Sequence, residues 1–273
     1  ELLNIGFGDQ VRLILSQVRP DRQALLFSAT WPAAVEGLAN EVCSQQPIHV
    51  NVGSIKLSAC RSIAQRFKFV QKGESKFEYL VCAIDRIRPY FEQGHRALIF
   101  CNHKASVDPL LTALRKRGFL CEGFSGNQSQ WDRDDVLGRF AQPNCNFDML
   151  VCTQILGRGH DFRNVSFVVN YDMPLKLVEY VHRIGRTGRA GSSGTSLTLM
   201  LEGDLVAAKD LKLVLRESEQ PIPEEINSAA KNIWKFSGHQ RSQPFHGTDR
   251  AHSPSKTRAH SRTGGRYGRR AAA

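Results

Sequence analysis

The stretch with the clearest chemical potential places three arginines and three glycines within residues 182–191, HRIGRTGRAG. Arg186 and Arg189 lie three residues apart and would face the same way on a helix or a tight turn. Guanidinium groups presented together suit a multiply charged oxyanion, above all a phosphate. Two interpretations stay open from these residues alone. They are either arginine fingers for a transferring phosphoryl group, or a basic loop that binds nucleic-acid backbone or is merely solvated.

The elements that would position this stretch alternate between strand and helix from about residue 61 to residue 217. Amphipathic segments such as 75–91 and 129–140 predict helices between short apolar runs. This alternation is typical of a parallel sheet flanked by helices, so we predict an α/β fold. The predicted buried strands of this region include the apolar runs 97–102, 119–124, 147–152 and 165–171.

Polar residues near two of these elements have both a chemical and a structural interpretation. Ser28 and Thr30 follow the apolar run 24–27, a predicted buried strand, and could belong to a site at the edge of a sheet. They could equally cap a helix that begins at Pro32. Gln130 and Arg133 lie three residues apart on the polar face of a predicted helix, where solvated surface is the ordinary interpretation.

Several motifs in one order resemble those of the DEAD-box RNA helicases of superfamily 2. They are SATWP at 28–32, TQILGRGHD at 153–161 and HRIGRTGRAG at 182–191. His182 favours the DEAD-box enzymes over the DEAH-box enzymes, where glutamine is usual. The resemblance extends from about residue 1 to residue 218. It implies a RecA-like parallel sheet flanked by helices, which is the C-terminal helicase domain of that family.

The resemblance also implies a division of the chain into four parts. We expect residues 1–52 to be the C-terminal remnant of a first RecA-like domain with motif III, and 53–61 to be a linker. Residues 62–218 would form the second RecA-like domain. Residues 219–273 would be a largely disordered, basic tail, because their composition beyond a possible short helix provides almost no aliphatic residues for a core.

Roles of individual residues are likewise implied by the resemblance. Arg186 and Arg189 would contact the γ-phosphate of ATP, and Asp161, with Gly159 beside it, would contact the nucleotide. Sequence-independent contacts to the RNA backbone are implied for Gly126, Gln130, Arg133, Thr153 and Arg158. Coupling between nucleotide state and the other domain is implied for Ser28, Thr30 and His182.

Two residues of the 153–161 motif depart from the family pattern. Gln154 stands where an acidic residue is frequent, and His160 replaces a leucine. Residues 1–7 resemble the stretch directly after the Asp-Glu-Ala-Asp box, and the 273 residues contain neither that box nor a GxxxxGK[ST] loop. We therefore expect the cofactor to be ATP with Mg²⁺, with the metal ligands outside this chain, and the chain to be inactive alone.

Composition favours a polyanionic partner, because the formal net charge is +11 and the pI is about 9.6. Residues 239–273 contribute +7 of that charge, and Arg/Gly segments around Tyr267 fit non-specific RNA contact or a solubilising or localisation tail. The seven cysteines form no CxxC pair and predict buried, reduced thiols. We find no signal peptide and no apolar run of about 18 residues, and expect an intracellular protein of the nucleus or cytoplasm.

The resulting prediction is the C-terminal half of an ATP-dependent RNA helicase, which unwinds RNA duplexes or remodels ribonucleoproteins. RNA would be held by its backbone, so that recognition is insensitive to sequence. One alternative is a non-catalytic RNA-binding or regulatory module. Another is a DNA helicase of the same superfamily, since backbone contacts do not by themselves identify the sugar.

Overall fold

A parallel sheet forms the centre of the structure, which is a computed structural model. The structure describes residues 8–28, 33–43, 47–51, 57–157, 162, 164–189 and 191–232. Its strands are β1 (Ile63–Phe69), β2 (Arg96–Phe100), β3 (Cys121–Phe124), β4 (Met149–Cys152), β5 (Val165–Asn170) and β6 (Gly194–Met200). They lie in the order β1-β6-β5-β2-β4-β3, and every neighbouring pair is parallel. The predicted α/β fold with a RecA-like sheet is confirmed.

The described residues form eight α-helices. These are α1 (Gly8–Gln17), α2 (Ala33–Val42), α3 (Lys76–Phe91), α4 (Val107–Lys116), α5 (Gln130–Phe140), α6 (Leu177–Ile184), α7 (Ala208–Glu217) and α8 (Glu224–Lys231). Two of the predicted helices begin at serine caps. The Ser75 hydroxyl accepts from the Glu78 N–H at 3.3 Å, and the Ser129 hydroxyl accepts from the Asp132 N–H at 3.1 Å.

Helices cover most of both faces of the sheet. On one face, α3 and α4 pack over the central strands and β3. On the other face, α5 packs over β2, β3 and β4, while α6, α7 and α8 pack over β1 and β6. The strands buried between these layers read as nearly continuous apolar runs, as a parallel sheet covered on both faces requires.

The folded region continues past the predicted domain boundary at residue 218. Ile226 and Ala229 of α8 are buried in the cluster that α7 forms with β1. The Gln65 N–H also donates to the Gln220 side chain at 3.2 Å, which ties the segment after α7 to the first strand. The apolar face of α8 therefore completes this part of the core, and the boundary at residue 218 stays a prediction. The other proposed boundaries stay predictions.

The first described residues form two helices and extended segments. The Arg12 side chain on α1 donates to Glu41 on α2 at 2.8 Å. The predicted buried strand at 24–27 is not a strand in the structure, where Leu25 is 70% and Phe27 92% exposed. A strand requires a hydrogen-bonded neighbour, and the described part of the chain provides none at this place.

All seven cysteines are free thiols, as predicted, but only three of them are buried. These are Cys101, Cys121 and Cys152, and burial raises the pKa of Cys121 to about 11. Cys60 and Cys82 are exposed, which corrects the expectation of buried thiols throughout. Within the described residues, no helix is both long and apolar enough to cross a bilayer.

Candidate functional site

A buried arginine on α6 is the centre of the polar residues at the carboxyl ends of the strands. Tyr180, Arg183 and Ile184 share the helix face that packs on the sheet, because residues three and four apart lie on one side of a helix. Arg183 is only 1% exposed. Burial lowers the pKa of this guanidinium, so its charge has to be stabilised by fixed dipoles.

Each nitrogen of the Arg183 guanidinium donates to an oxygen on a different segment. Nε donates to Gln154 Oε1 at 2.8 Å, Nη1 to the Asp172 carbonyl at 3.1 Å, and Nη2 to Asn102 Oδ1 at 2.9 Å. The guanidinium carbon also lies 5.3 Å from the centre of the Phe100 ring. Asn102, Gln154 and Asp172 follow β2, β4 and β5, so one side chain holds the ends of three strands to α6.

A buried ion pair extends this arrangement to α3. Lys76 Nζ lies 2.7 Å from Asp172 Oδ1, and Asp172 Oδ2 accepts from the Asn102 N–H at 3.0 Å. The Asn102 amide then donates to the Met173 carbonyl at 2.8 Å. We call Lys76, Asn102, Gln154, Asp172 and Arg183 the Arg183 network. The Arg183 network fixes the position of α6 relative to the carboxyl ends of β2, β4 and β5.

The turn that follows α6 carries the two predicted catalytic arginines. Arg186 Nε donates to the His182 carbonyl at 3.2 Å, and Arg189 Nε donates to the Gly185 carbonyl at 2.9 Å. Both side chains are half-buried and are tied to carbonyls three residues apart, so they follow one another along one side of the turn. The arrangement presents two cations from a fixed piece of backbone, which suits a multiply charged oxyanion.

Gly188 shows why this turn requires glycine. Its φ is +66°, and a Cβ added there would lie 2.5 Å from Ile63 Cγ1 at the start of β1. The Ser62 hydroxyl donates to the Gly188 carbonyl at 3.2 Å. The arginine-bearing turn is therefore packed against the first strand of the sheet, while Arg183 lies at the carboxyl ends of the central strands.

The predicted RNA-binding residues that the structure describes lie near β3, β4 and the start of α5. The Thr153 N–H donates to the Phe124 carbonyl at 3.3 Å, which places Thr153 beside the turn that contains Gly126. A Cβ at Gly126 would have open space around it, so its backbone is accessible to a large ligand. On α5, Arg133 Nη2 donates to Gln130 Oε1 at 2.5 Å.

Other predicted site residues are not brought together in the structure. Ser28 is exposed on the segment that follows α1, and His182 is half-buried on α6. Thr30, Arg158, Gly159 and Asp161 lie outside the described residues, and His160 lies outside them as well. Their proposed roles in RNA binding, nucleotide binding and interdomain coupling stay predictions.

Sequence reasoning gave no role to Lys76, Asn102, Asp172 or Arg183. Asn102 and Asp172 had a usable signal, since each lies two residues after a buried strand whose end lies at the same edge of the sheet. Arg183 had another signal, because it lies three residues after Tyr180 on the apolar face of its helix. A charged residue on such a face requires buried partners.

Comparison with known proteins agrees with this geometry. Residues 75–191 match the family described as helicase conserved C-terminal domain. The chain is 36% identical over 225 residues to the ATP-dependent RNA helicase DBP2 of Candida glabrata, with 82% of this chain and 40% of that protein covered. It is 37% identical over 242 residues to the probable ATP-dependent RNA helicase ddx17 of Dictyostelium discoideum, with 86% and 30% covered.

A solved structure shares the same architecture. The DEAD-box helicase Mss116 bound to ssRNA and UDP-BeF superposes with a TM-score of 0.65 at 26% identity, over 88% of this chain and 50% of that one. The chain spans 30% to 40% of the length of the two curated relatives above. With its parallel six-stranded sheet and the HRIGRTGR turn, it carries the C-terminal helicase domain of the DEAD-box RNA helicases.

Proposed function

We propose that the protein containing this chain is an ATP-dependent RNA helicase, which unwinds RNA duplexes or remodels ribonucleoproteins as ATP is hydrolysed. The observation that carries the proposal is the turn that presents Arg186 and Arg189, held in place by the Arg183 network. The printed names of the relatives, which are ATP-dependent RNA helicases, support the same activity.

Arg186 and Arg189 would act as arginine fingers. Their guanidiniums would stabilise the negative charge that develops on the transferring γ-phosphoryl group. Bound ATP with Mg²⁺ would supply that group and neutralise part of its charge. Asp161 and Gly159 would contact the nucleotide, and the metal ligands would come from residues outside this chain. Two half-buried cations on a fixed turn fit a triphosphate.

RNA would lie across the ends of β3 and β4 and the start of α5. Gly126 and Thr153 would offer backbone and hydroxyl groups, and Gln130 and Arg133 would contact phosphate and sugar, together with Arg158. Contacts of this kind hold a strand without reading its bases. Ser28, Thr30 and His182 would link the occupancy of the nucleotide site to the other domain. The ssRNA bound to Mss116 supports RNA as the ligand.

The experiment that tests the proposal is Arg186→Lys in the full-length protein. Lysine keeps the charge but loses the planar fork that spans two phosphate oxygens. We expect ATPase turnover to fall by about 10³-fold or more, since arginine fingers contribute on the order of 10³–10⁵ in kcat. RNA affinity should be unchanged, because the proposed RNA contacts lie on other elements.

Arg133→Ala is the matched control. It should weaken RNA binding and leave the ATPase rate at saturating RNA close to that of the wild type. A fall in ATPase of less than about tenfold for Arg186→Lys, below the range for arginine fingers, would overturn the finger assignment. A parallel loss of RNA affinity in that variant would do the same, because Arg186 would then be a structural or RNA-binding residue.

A further inference from the structure

A groove beside α3 lies outside the residues that the proposed helicase function uses. It measures about 590 Å³ and lies over β1, β6 and β5. Arg66 and Lys68 of β1 face it, whereas their neighbours Ile63 and Phe69 pack against α6, α7 and α8 on the opposite face. The sheet is therefore covered on one side of these strands and open on the other.

Apolar side chains form the floor of this α3 groove. Leu197 of β6 and Phe167 of β5 are half-buried, and Ile87 of α3 lines the adjacent wall. The Phe167 ring makes an edge contact with Tyr90, at 5.3 Å between ring centres, and Tyr90 is 45% exposed. An apolar floor of this kind can take an apolar side chain out of water.

Three cations surround the apolar floor. Arg66, Lys68 and Arg86 line the groove, and none of them forms an ion pair within the part of the chain that the structure describes. Lys68 Nζ lies 4.1 Å from the centre of the Tyr79 ring. Tyr79, together with the negative charges of Glu74 and Glu225, raises the pKa of Lys68. The positive charge on this rim is therefore available to an external carboxylate.

We propose that the α3 groove binds an acidic segment of a partner protein, with an aromatic or aliphatic side chain inserted against Phe167 and Leu197. The apolar floor requires an apolar anchor, and the three rim cations require carboxylates on both sides of it. This is the chemistry of a short acidic and hydrophobic peptide that is read by a groove.

Charge and polarity disfavour the other occupants. Residues 239–273 of the same chain carry a net charge of +7 and would be repelled by the rim. A second copy of the chain carries +11 and would meet the same repulsion. A strand of RNA would set its phosphates over an apolar floor, where their desolvation is not compensated.

The test uses the intact chain and the exposed thiol of Cys82, which lines the groove. The probe is a synthetic peptide in which Glu and Asp alternate with Phe and Leu. Alkylation rates of Cys82 are measured by mass spectrometry, with the exposed Cys60, which does not line the groove, as internal reference. At a peptide concentration of about ten times Kd, Cys82 should react about tenfold more slowly, while the Cys60 rate is unchanged.

The Kd of the peptide is compared between two double variants, one in the groove and one outside it. Arg66→Glu/Arg86→Glu reverses two exposed rim charges and should raise Kd by about tenfold or more. Lys209→Glu/Arg216→Glu makes the same change in net charge on exposed positions of α7, across the sheet, and should leave Kd unchanged. Equal effects of the two double variants would overturn the proposal, because the peptide would then bind the basic chain without a site.

Two further probes complete the test. A matched peptide with Lys in place of every Glu and Asp should leave the Cys82 rate unchanged, and so should single-stranded RNA. Protection of Cys82 by the lysine peptide would show that charge plays no part in the groove. Protection by RNA would assign the groove to nucleic acid, and either result would overturn the proposal.

Discussion

Two arginines are buried at opposite ends of the sheet, Arg183 of α6 at the carboxyl ends of the strands and Arg96 of β2 at the amino ends, and they are held in different ways. Arg183 is 1% exposed at the carboxyl ends, and each of its three guanidinium nitrogens has an oxygen acceptor. Arg96 is 3% exposed at the start of β2. Its Nη2 donates to the Pro143 carbonyl at 3.2 Å, and its Nε has no hydrogen-bond partner among the described residues.

The charges of the two arginines are also compensated differently. Arg96 Nη1 lies 3.5 Å from the carboxylate of Asp148, which is a loose ion pair. Arg183 instead donates hydrogen bonds to uncharged amide and carbonyl oxygens. The carboxylate of Asp172 is paired with Lys76 and accepts from the Asn102 N–H. At the carboxyl end of the sheet, the buried charge of Arg183 therefore holds the segments after β2, β4 and β5 in fixed positions relative to α6. The arginine at the amino end mainly fills space.

Arg183→Met should have the largest effect on stability. Methionine keeps much of the volume but leaves the buried Asp172 carbonyl and the half-buried amide oxygens of Asn102 and Gln154 without this donor. We expect the free energy of unfolding to fall by about 3–5 kcal/mol, as when one member of a buried polar network is removed. Urea denaturation of the chain measures this. A loss below about 1 kcal/mol would mean that the three bonds of Arg183 together stabilise the fold no more than one ordinary hydrogen bond does.

Arg96→Met should cost much less, about 1 kcal/mol, in the same measurement. It removes one hydrogen bond and the loose partner of Asp148, but it also removes a buried donor that has no acceptor among the described residues. Equal losses for the two methionine variants would erase the contrast between the two ends of the sheet.

Gln154→Glu should stabilise the Arg183 network. Nε2 of Gln154 is buried without a hydrogen-bond partner in the described part of the chain, whereas its Oε1 accepts from Arg183. A carboxylate removes that unused donor and strengthens the bond to the guanidinium. We expect a gain of about 1 kcal/mol, or roughly 2–4 °C in Tm. The exposed variant Gln142→Glu is the control. A lower Tm would show that repulsion from Asp172 outweighs the new bond.

The smallest effect concerns the pH dependence of Asp148. Burial raises the pKa of this carboxyl, and Arg96 opposes the shift only in part. The folded state then binds the proton more readily than the unfolded state, so acidification through the raised pKa toward the ordinary value of 3.8 adds stability. Asp148→Asn lacks this gain. The stability of the wild type relative to the variant, measured by urea denaturation at several pH values, should therefore rise as pH falls.

Local signals in the sequence predict the strands and helices well. Ser75 and Ser129 mark helix starts because capping depends on residues only three positions apart. The start of α4 is less well predicted. Asp108 and Pro109 suggest a beginning at those residues, whereas the helix begins at Val107. Pro109 fits within the first turn, since the N–H groups there have no partner inside the helix.

The Arg183 network could not be predicted, because its members come from separate parts of the chain. Asn102 lies 81 residues from Arg183, and Gln154 lies 29 residues from it. The α3 groove escapes prediction for a related reason. The apolar face of α3 shows that the helix packs on a sheet, but not which strands it leaves uncovered.

Ser62 mechanically couples the segment that precedes β1 to the arginine-bearing turn. Its hydroxyl donates to the Gly188 carbonyl at 3.2 Å, and its carbonyl accepts from the Gly194 N–H at 3.0 Å, so it contacts the chain inside the arginine-bearing turn and at the start of β6. Any pull on residues 57–61 must either break these two bonds or drag the turn along. Force applied just ahead of the first strand would therefore reach both the turn that carries Arg186 and Arg189 and the start of β6.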